Sequence, residues 1–525
     1  MTHADQIMQA VAYLTKVTPM IHEPCRSVSL KRYTVPCSTM QYEDAGPDGA
    51  GKGVGYYALT KPMAGRIAIR PYVEAPVAKV ASGTREFLAA VRSGEIGAGV
   101  WGCGHIGASA LFHLAVAGVR CAGYDLSEAR VRDIEAGRFL STAVTHPAPA
   151  AATPDTATAP LRIRASTDWR DMIDQNIGLH LICVPTDHGR DPSSTALENV
   201  LPRICETIRE SAPSRWPRLI IVESTIVPSW LDDIVLPIIA RHGLELNRDV
   251  YVGAAPRRDW FSGEEHTLRT LPRVVGGTSP EATELMAAFY SLICQTIKPA
   301  RDAHHAALTK VVENALRYHG ISFANALAVG LPRYDTAHVL SLASSKWNIP
   351  YYHPSLGIGG HCIPLAPQYL VAEAGAGNMG LIEQTVEFNA GYFERLYTTA
   401  LARLLEGRRR IAVLGLAYTP DARMEKLSPA FNVLRTLRHE GRDVRLHDPY
   451  YTAEEIHDLA GVETLRFPDD LKDYDSIVLV TAHTPYVQDE IERHVAPDAV
   501  IVDNFGTWRD RRFPGGVRYH EVGAG

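Results

Sequence analysis

Residues 96–125, "IGAGVWGCGHIGASALFHLAVAGVRCAGYD", read as a strand, a glycine turn, a helix and a second strand ending in an acid. The apolar run from Ile96 to Trp101 enters a GxGxxG turn made by Gly102, Gly104 and Gly107. In such a turn the first glycine permits the tight bend. The second lets the backbone approach a pyrophosphate, and the third lets helix and strand pack closely. The helix N-terminus adds a positive dipole. Asp125 closes the next strand about 20 residues on, where a carboxylate holds a ribose 2′-hydroxyl and repels a 2′-phosphate. The stretch therefore predicts a dinucleotide site that takes NAD rather than NADP.

Working outward, the alternation continues. Strands are expected at "LHLICVPT" and "LIIVEST" with helices between them, which predicts a mostly parallel, doubly wound sheet. One long helix is expected over residues 302–330. Its Lys310, Asn314, Arg317, Ile321 and Asn325 recur in steps of three or four and share a face. A second α/β series follows in "RRIAVLGLAYTP", "DVRLHDP", "SIVLVTAH" and "AVIVDN". The fold class is thus α/β, with two Rossmann-like domains joined by a long central helix. Expected domains are an N-terminal extension at 1–94, a dinucleotide-binding domain at 95–300, a central helical domain at 301–405 and a second Rossmann-like domain at 406–525. Residues 141–160 form an Ala/Pro/Thr tract that predicts a solvated loop.

The chain has 525 residues, 46% of them hydrophobic and 21% charged, so it should hold several ordinary globular cores. A formal charge of −6 offers no basic footprint for nucleic acid. No apolar run approaches the roughly 20 residues that span a bilayer, and residues 1–11 lack the pattern of a signal peptide. No membrane association and a cytoplasmic location are expected. The eight cysteines are scattered with no CxxC pair. Adjacent His304 and His305 cannot both face one ion, so no metal site is expected.

Cys362 stands apart in "GIGGHCIP", residues 357–364. A thiol beside a nicotinamide allows stepwise oxidation of an alcohol: an aldehyde, a thiohemiacetal, a thioester and then an acid. That chemistry needs a cation near the oxyanion, and Lys310 with Asn314 one turn away can supply the polar face.

These motifs, with "ICVPT", "VEST", "LPRVVGG", "KVVENALRYHGISFANALA", "LGLAYTPD" and "HDP", resemble the UDP-glucose/GDP-mannose dehydrogenase family, most closely its UDP-N-acetylhexosamine 6-dehydrogenase branch. The resemblance covers roughly residues 96–510. It implies an NAD domain, a central helix that builds a homodimer, and a C-terminal domain for a nucleotide sugar or nucleoside. It assigns Cys362 as nucleophile, Lys310 and Asn314 as oxyanion stabilisers, and Thr225 as the residue that places a water. It assigns the "GCGHIG" turn, with His105 and Ile106, to the cofactor. Pro185, Thr186 and Ser224 would line the nicotinamide pocket. Gly357, Gly359, Gly360, His361, Asn325 and Arg257 would lie at the substrate.

The chain also departs from the family's pattern. Ala366 stands where an aspartate follows the cysteine, and Arg257 where a glutamate is expected. Thr419 and Phe505 stand where the C-terminal domain should carry a lysine and an arginine, and another arginine is replaced by Lys426 or Leu427, according to register. Loss of two carboxylates removes proton acceptors. Arg257 could instead lower the thiol pKa, His361 could tune the thiol or merely cap its turn, and Ala366→Asp should speed thioester hydrolysis if the chain makes an acid and do little if its chemistry is altered. Three readings follow: a nucleotide-sugar dehydrogenase that makes an acid, a redox enzyme that stops at the aldehyde or runs redox-neutral, and a non-catalytic nucleotide-binding relative.

Overall fold

The computed structural model describes residues 42–44, 53–55, 57–59, 69–71, 82–138, 163–259, 267–513 and 515–524. The tract at 141–160 lies outside them. The chain divides between Val80 and Ala81. Before that division, Tyr42–Asp44 pairs antiparallel with Gly53–Gly55, and Tyr57–Leu59 pairs with Ile69–Pro71.

The unit from Ala81 onward opens with helix Ser82–Ser93. Sequence reading placed this segment in the N-terminal extension. Its Phe87, Ala90 and Val91 are buried in the core of the first sheet, so the compact unit begins before residue 95.

The first sheet has eight strands. They are β1 (Gly97–Trp101), β2 (Cys121–Tyr124), β3 (Ile163–Ser166), β4 (Ile177–Ile182), β5 (Arg218–Val222), β6 (Val250–Ala254), β7 (Arg273–Gly277) and β8 (Ile297–Pro299). Their order is β8-β7-β6-β5-β4-β1-β2-β3, and the pairing is parallel except between β6 and β7. Apolar cores cover both faces. Burial on both sides explains why β1, β4 and β5 read as continuous apolar runs rather than alternating ones. The strand order reverses between β1 and β4, and a crevice at their carboxyl ends is where an open α/β sheet binds ligands.

Helix α1 (His105–Val116) leaves β1 through the glycine turn. Helix α2 (Ala303–Gly330) runs 28 residues from a cap in which Asp302 accepts from the His305 amide. Helix α3 (Cys362–Ala374) packs along α2. The second sheet has five parallel strands: β9 (Arg410–Leu414), β10 (Asp443–His447), β11 (Ser476–Leu479), β12 (Val500–Asp503) and β13 (Arg518–Glu521), in the order β10-β9-β11-β12-β13. It too is covered on both faces. Two doubly wound sheets and a central helix match the expected architecture. Among the described residues no helix is long and apolar enough to cross a membrane.

Candidate active site

The crevice at the β1/β4 reversal has the shape a dinucleotide requires. Gly102 has φ +92°, and a Cβ there would meet the Cys183 carbonyl oxygen at 2.7 Å. A Cβ on Gly107 would meet the Gly102 carbonyl oxygen at 1.9 Å, so that glycine sets the helix against the strand. A Cβ on Gly104 would meet nothing within 4 Å: the turn is open on the side a pyrophosphate approaches. Gly104 is also the N-cap of α1 and has no side chain to cap it, which leaves the helix end to an external anion.

Asp125 closes the site. Its carboxylate accepts from the Cys103 amide at 2.6 Å and from the Ser127 amide at 2.8 Å, which fixes it beside the glycine turn. Its remaining lone pairs suit a ribose hydroxyl. The residues present therefore fit NAD. His105, at the first position of α1, is kept neutral, its pKa brought down to about 4 by burial and by the nearby Arg257 charge.

Cys362 is the first residue of α3 and is reachable by solvent. The helix dipole there favours a thiolate. Surrounding protein pushes the thiol pKa up, but the Lys310 charge, the His361 hydrogen bond and charge, and the Arg317 charge outweigh this and hold it at about 7. Lys310 and Arg317 lie two turns apart on one face of α2, with Asn314 between them. The long helix thus lays a positive stripe along the thiol. The other described cysteines, Cys103, Cys121, Cys183, Cys205 and Cys294, are buried, and burial raises the pKa of each.

His361 does not cap α3, since its side chain makes no capping bond. Its Nε2 instead meets Asp187 Oδ1 at 2.5 Å. Lys426 Nζ donates to the other oxygen of Asp187 at 2.6 Å. Asp187 is nearly buried, with its side chain 5% exposed. Burial would raise its pKa, and Lys426 and His361 more than offset this and lower it. Asp187 sits in the short hairpin Asp187–His188/Asp191–Pro192, directly after the "VPT" end of β4.

The glycine run before the cysteine is held from three sides. The Ser355 amide donates to Asn325 Oδ1 at 2.8 Å, and the Leu356 amide to Asn504 Oδ1 at 2.6 Å. The Gly360 amide donates to the Lys426 carbonyl at 3.0 Å. Cβ atoms on Gly359 or Gly360 would run into Tyr418, at 2.5 and 2.9 Å. Glycine here allows the loop to lie against the second nucleotide domain. Gly357 lines a cavity together with Arg190, Tyr318, Gln368, Asn389 and Asn432.

Some expected residues are placed elsewhere. Arg257 is buried beneath α1. It pairs with Asp259 at 2.6 Å and donates to the Ile106 carbonyl and Ser109 hydroxyl, both at 3.1 Å. A guanidinium at that site braces the cofactor helix and is engaged by protein partners, where the sequence suggested a place at the substrate. Asn325 is fully buried and latches the loop through Ser355. Ser224 donates to the Val184 carbonyl at 2.7 Å, and Thr186 to the Thr225 carbonyl at 2.5 Å, so the ends of β4 and β5 are tied together with Pro185 exposed between them. Ala366 is 1% exposed and packs in an apolar cluster with Val227, Val311, Ala315 and Leu365.

Sequence reasoning missed Asp187, Tyr369 and Asn504. An acid directly after "VPT" and a tyrosine seven residues after the cysteine were the available signals for the first two. Asn504 carries no local sign of its role.

A dinucleotide crevice of this kind defines an NAD-dependent oxidoreductase. The NAD binding, central and UDP binding domains described for the UDP-glucose/GDP-mannose dehydrogenase family match residues 97–294, 304–391 and 412–510. A UDP-N-acetyl-D-glucosamine 6-dehydrogenase of Pseudomonas aeruginosa is 27% identical over 333 residues, 60% of this chain and 76% of the relative. A UDP-N-acetyl-D-mannosamine dehydrogenase of Pyrococcus horikoshii is 27% identical over 399 residues, 74% of this chain and 89% of the relative. A solved UDP-D-ManNAc dehydrogenase from Pyrococcus horikoshii superposes with a TM-score of 0.68 at 23% identity, covering 82% of this chain and 99% of that one, and shares its fold. The chain belongs to the UDP-glucose/GDP-mannose dehydrogenase family.

Proposed function

We propose that the chain is an NAD-dependent UDP-sugar 6-dehydrogenase, oxidising a C6 alcohol through an aldehyde and a Cys362 thioester to a uronic acid. The observation that carries this is the Cys362 thiol, held at about 7 beside Lys310 and His361. NAD, when bound, supplies the acceptor for two successive hydrides. Cys362 attacks the aldehyde carbon as a thiolate and keeps the intermediate bound. Lys310 faces the oxygen that gains charge in that attack, and Asn314 extends the same polar face of α2. Thr225 lies at the end of β5 and is suited to place the hydrolytic water. The polar cavity along Gly357, with Arg190 as its cation, suits the nucleotide part of the substrate. Relatives that act on UDP-N-acetylhexosamines support an amino-sugar substrate.

Two further features belong to this reading. Val312, Leu316 and Phe323 are exposed on α2, an apolar face that supports a homodimer through the central helix. Six free cysteines among the described residues, and a substrate and cofactor of metabolic type, support a cytoplasmic location.

The test is stoichiometric. Purified protein with NAD and a panel of UDP-sugars is expected to yield two NADH per sugar and a uronic acid, and Cys362→Ala to yield no acid. One NADH per sugar, or unchanged acid formation by the variant, would refute the reading.

A further inference from the structure

The chain lacks both carboxylates that the family's pattern places near the thiol: Ala366 is sealed in an apolar cluster, and Arg257 braces α1. Attack by sulfur requires the thiol to lose a proton, and hydrolysis of a thioester requires a water to lose one. Some group in the cleft must receive them.

The described residues offer one such group with suitable geometry. His361 directly precedes Cys362 in the chain, and the charges of the imidazole and the thiolate favour each other. Its Nε2 is committed to Asp187 at 2.5 Å, which leaves Nδ1 for the thiol or a water. The side chain is 46% exposed, so solvent can enter beside it, while the carboxylate that orients it is nearly buried. Lys426 saturates the other oxygen of that carboxylate at 2.6 Å and keeps it from rotating away. A nucleophile, an imidazole and a buried acid that orients the imidazole form the arrangement by which hydrolases activate sulfur and water.

We propose that His361, oriented by Asp187, is the proton acceptor of this active site, first for the Cys362 thiol and then for the water that hydrolyses the thioester. In the first step the S–H bond breaks, the proton passes to Nδ1, and sulfur's electron pair forms the C–S bond to the aldehyde while the C=O π pair moves to oxygen; His361 then gives that proton to solvent at its exposed edge, which frees Nδ1 for the second step. In the hydrolytic step a water oxygen bonds to the thioester carbon and gives one proton to Nδ1. The tetrahedral centre then collapses, the C–S bond breaks, and its electron pair returns to sulfur. The product is the carboxylic acid, which ionises to solvent, and the imidazolium pairs with the regenerated thiolate. Neither proton transfer changes an oxidation state. His361 is the catalytic residue, and Asp187 is a positioning residue that acts through it.

The charges around this pair favour such a cycle. His361 faces Cys362 on its own helix, Asp187 on the hairpin and Lys426 on the loop before the second domain's first helix; the thiol faces Lys310 and Arg317 on α2, with the Tyr369 and Tyr418 hydroxyls near it. Burial and Lys426 disfavour an imidazolium, but Cys362 and Asp187 outweigh them and raise the His361 pKa.

The hydrolytic half rests on the dehydrogenase reading; the thiol half can be tested without substrate. Alkylation of Cys362 by iodoacetamide is followed against pH in wild type, His361→Gln and Asp187→Asn. The inflection is expected to move to higher pH in both variants, because each weakens the cation that holds the thiolate. With NAD and a UDP-sugar, His361→Gln is expected to release a burst of NADH and then turn over at least about 10²-fold more slowly. Intact mass spectrometry should show the thioester accumulating. In Asp187→Asn the acidic limb of kcat should move to lower pH, and free imidazole should restore turnover to His361→Ala, which a purely structural role would not allow. An unchanged alkylation profile in His361→Gln, or wild-type acid release without accumulation of thioester, overturns the proposal. If no UDP-sugar yields NADH with the wild type, the dehydrogenase reading fails, while the alkylation profiles still decide whether His361 takes the thiol proton.

Discussion

The Tyr369 hydroxyl donates to the Thr186 carbonyl at 2.6 Å and lies 3.1 Å from the Thr186 hydroxyl. Tyr369 is two turns along α3 from Cys362, and Thr186 ends the "VPT" segment beside the dinucleotide crevice. This phenol, with the Ser229 amide donating to Glu373 at 2.7 Å, ties the nucleophile's helix to the cofactor's sheet.

Tyr369→Phe should loosen that tie. A buried Thr186 carbonyl without its donor costs about 1–3 kcal/mol, readable in denaturant unfolding. Displacement of the thiol by about 1 Å can lower kcat by up to about 10²-fold, while the KM for NAD stays near its wild-type value. Equal loss of kcat and of NAD affinity would place the tie elsewhere.

Ala366→Asp should not restore hydrolysis. The site is packed by Val227, Val311, Ala315 and Leu365, so a carboxyl there would enter an apolar cluster. The expected outcome is a loss of about 1–3 kcal/mol of stability and no gain in acid release. This reverses the expectation drawn from the sequence. A faster single-turnover hydrolysis rate would contradict the packing argument.

Asp259→Asn should destabilise the protein in a pH-dependent way. Burial raises the Asp259 pKa, but Arg257 outweighs this and lowers it far below the ordinary carboxyl value. A folded-state pKa lowered below the unfolded one adds stability that is complete above about pH 4 and disappears as the pH falls further. Breaking this buried pair should cost about 3–5 kcal/mol at neutral pH. The gap between variant and wild type should narrow below about pH 4, as chemical denaturation at several pH values would show.

Asp125→Ala should erode the preference for NAD. The carboxylate that would hold the ribose and repel a 2′-phosphate is removed, so the ratio of kcat/KM for NAD to that for NADP should fall. The Cys103 amide in the glycine turn loses its acceptor in the same variant, so affinity for NAD should fall as well.

Cys362 should be the one described cysteine that iodoacetamide modifies at neutral pH. Its thiol is held at about 7, while burial pushes Cys294 up to about 11 and Cys205 up to about 12. Peptide mapping after brief alkylation checks this directly.

The parts of this molecule that follow local rules were readable in the chain. β1, the glycine turn and Asp125 form one contiguous stretch, and α2 carries its own period and cap. Cys362 was conspicuous because its glycines are needed for close approach to Tyr418. What the sequence did not show depends on meetings across long separations. Asp187 and His361 lie 174 positions apart, and Asp187 and Lys426 lie 239 apart. Arg257 looked like a substrate residue by its position in a motif, but its partners are Asp259 and the first turns of α1. Ala366 looked like a lost base, and only the apolar groups around it show that the vacancy has been filled.

Asp187 comes from the cofactor lobe, His361 from the segment between the lobes, and Lys426 from the lobe that holds the second sheet. The three are joined end to end by contacts of 2.5 and 2.6 Å, so a hinge opening of a few ångströms would uncouple them. An open molecule would carry a less reactive sulfur, shielded from stray oxidants and electrophiles.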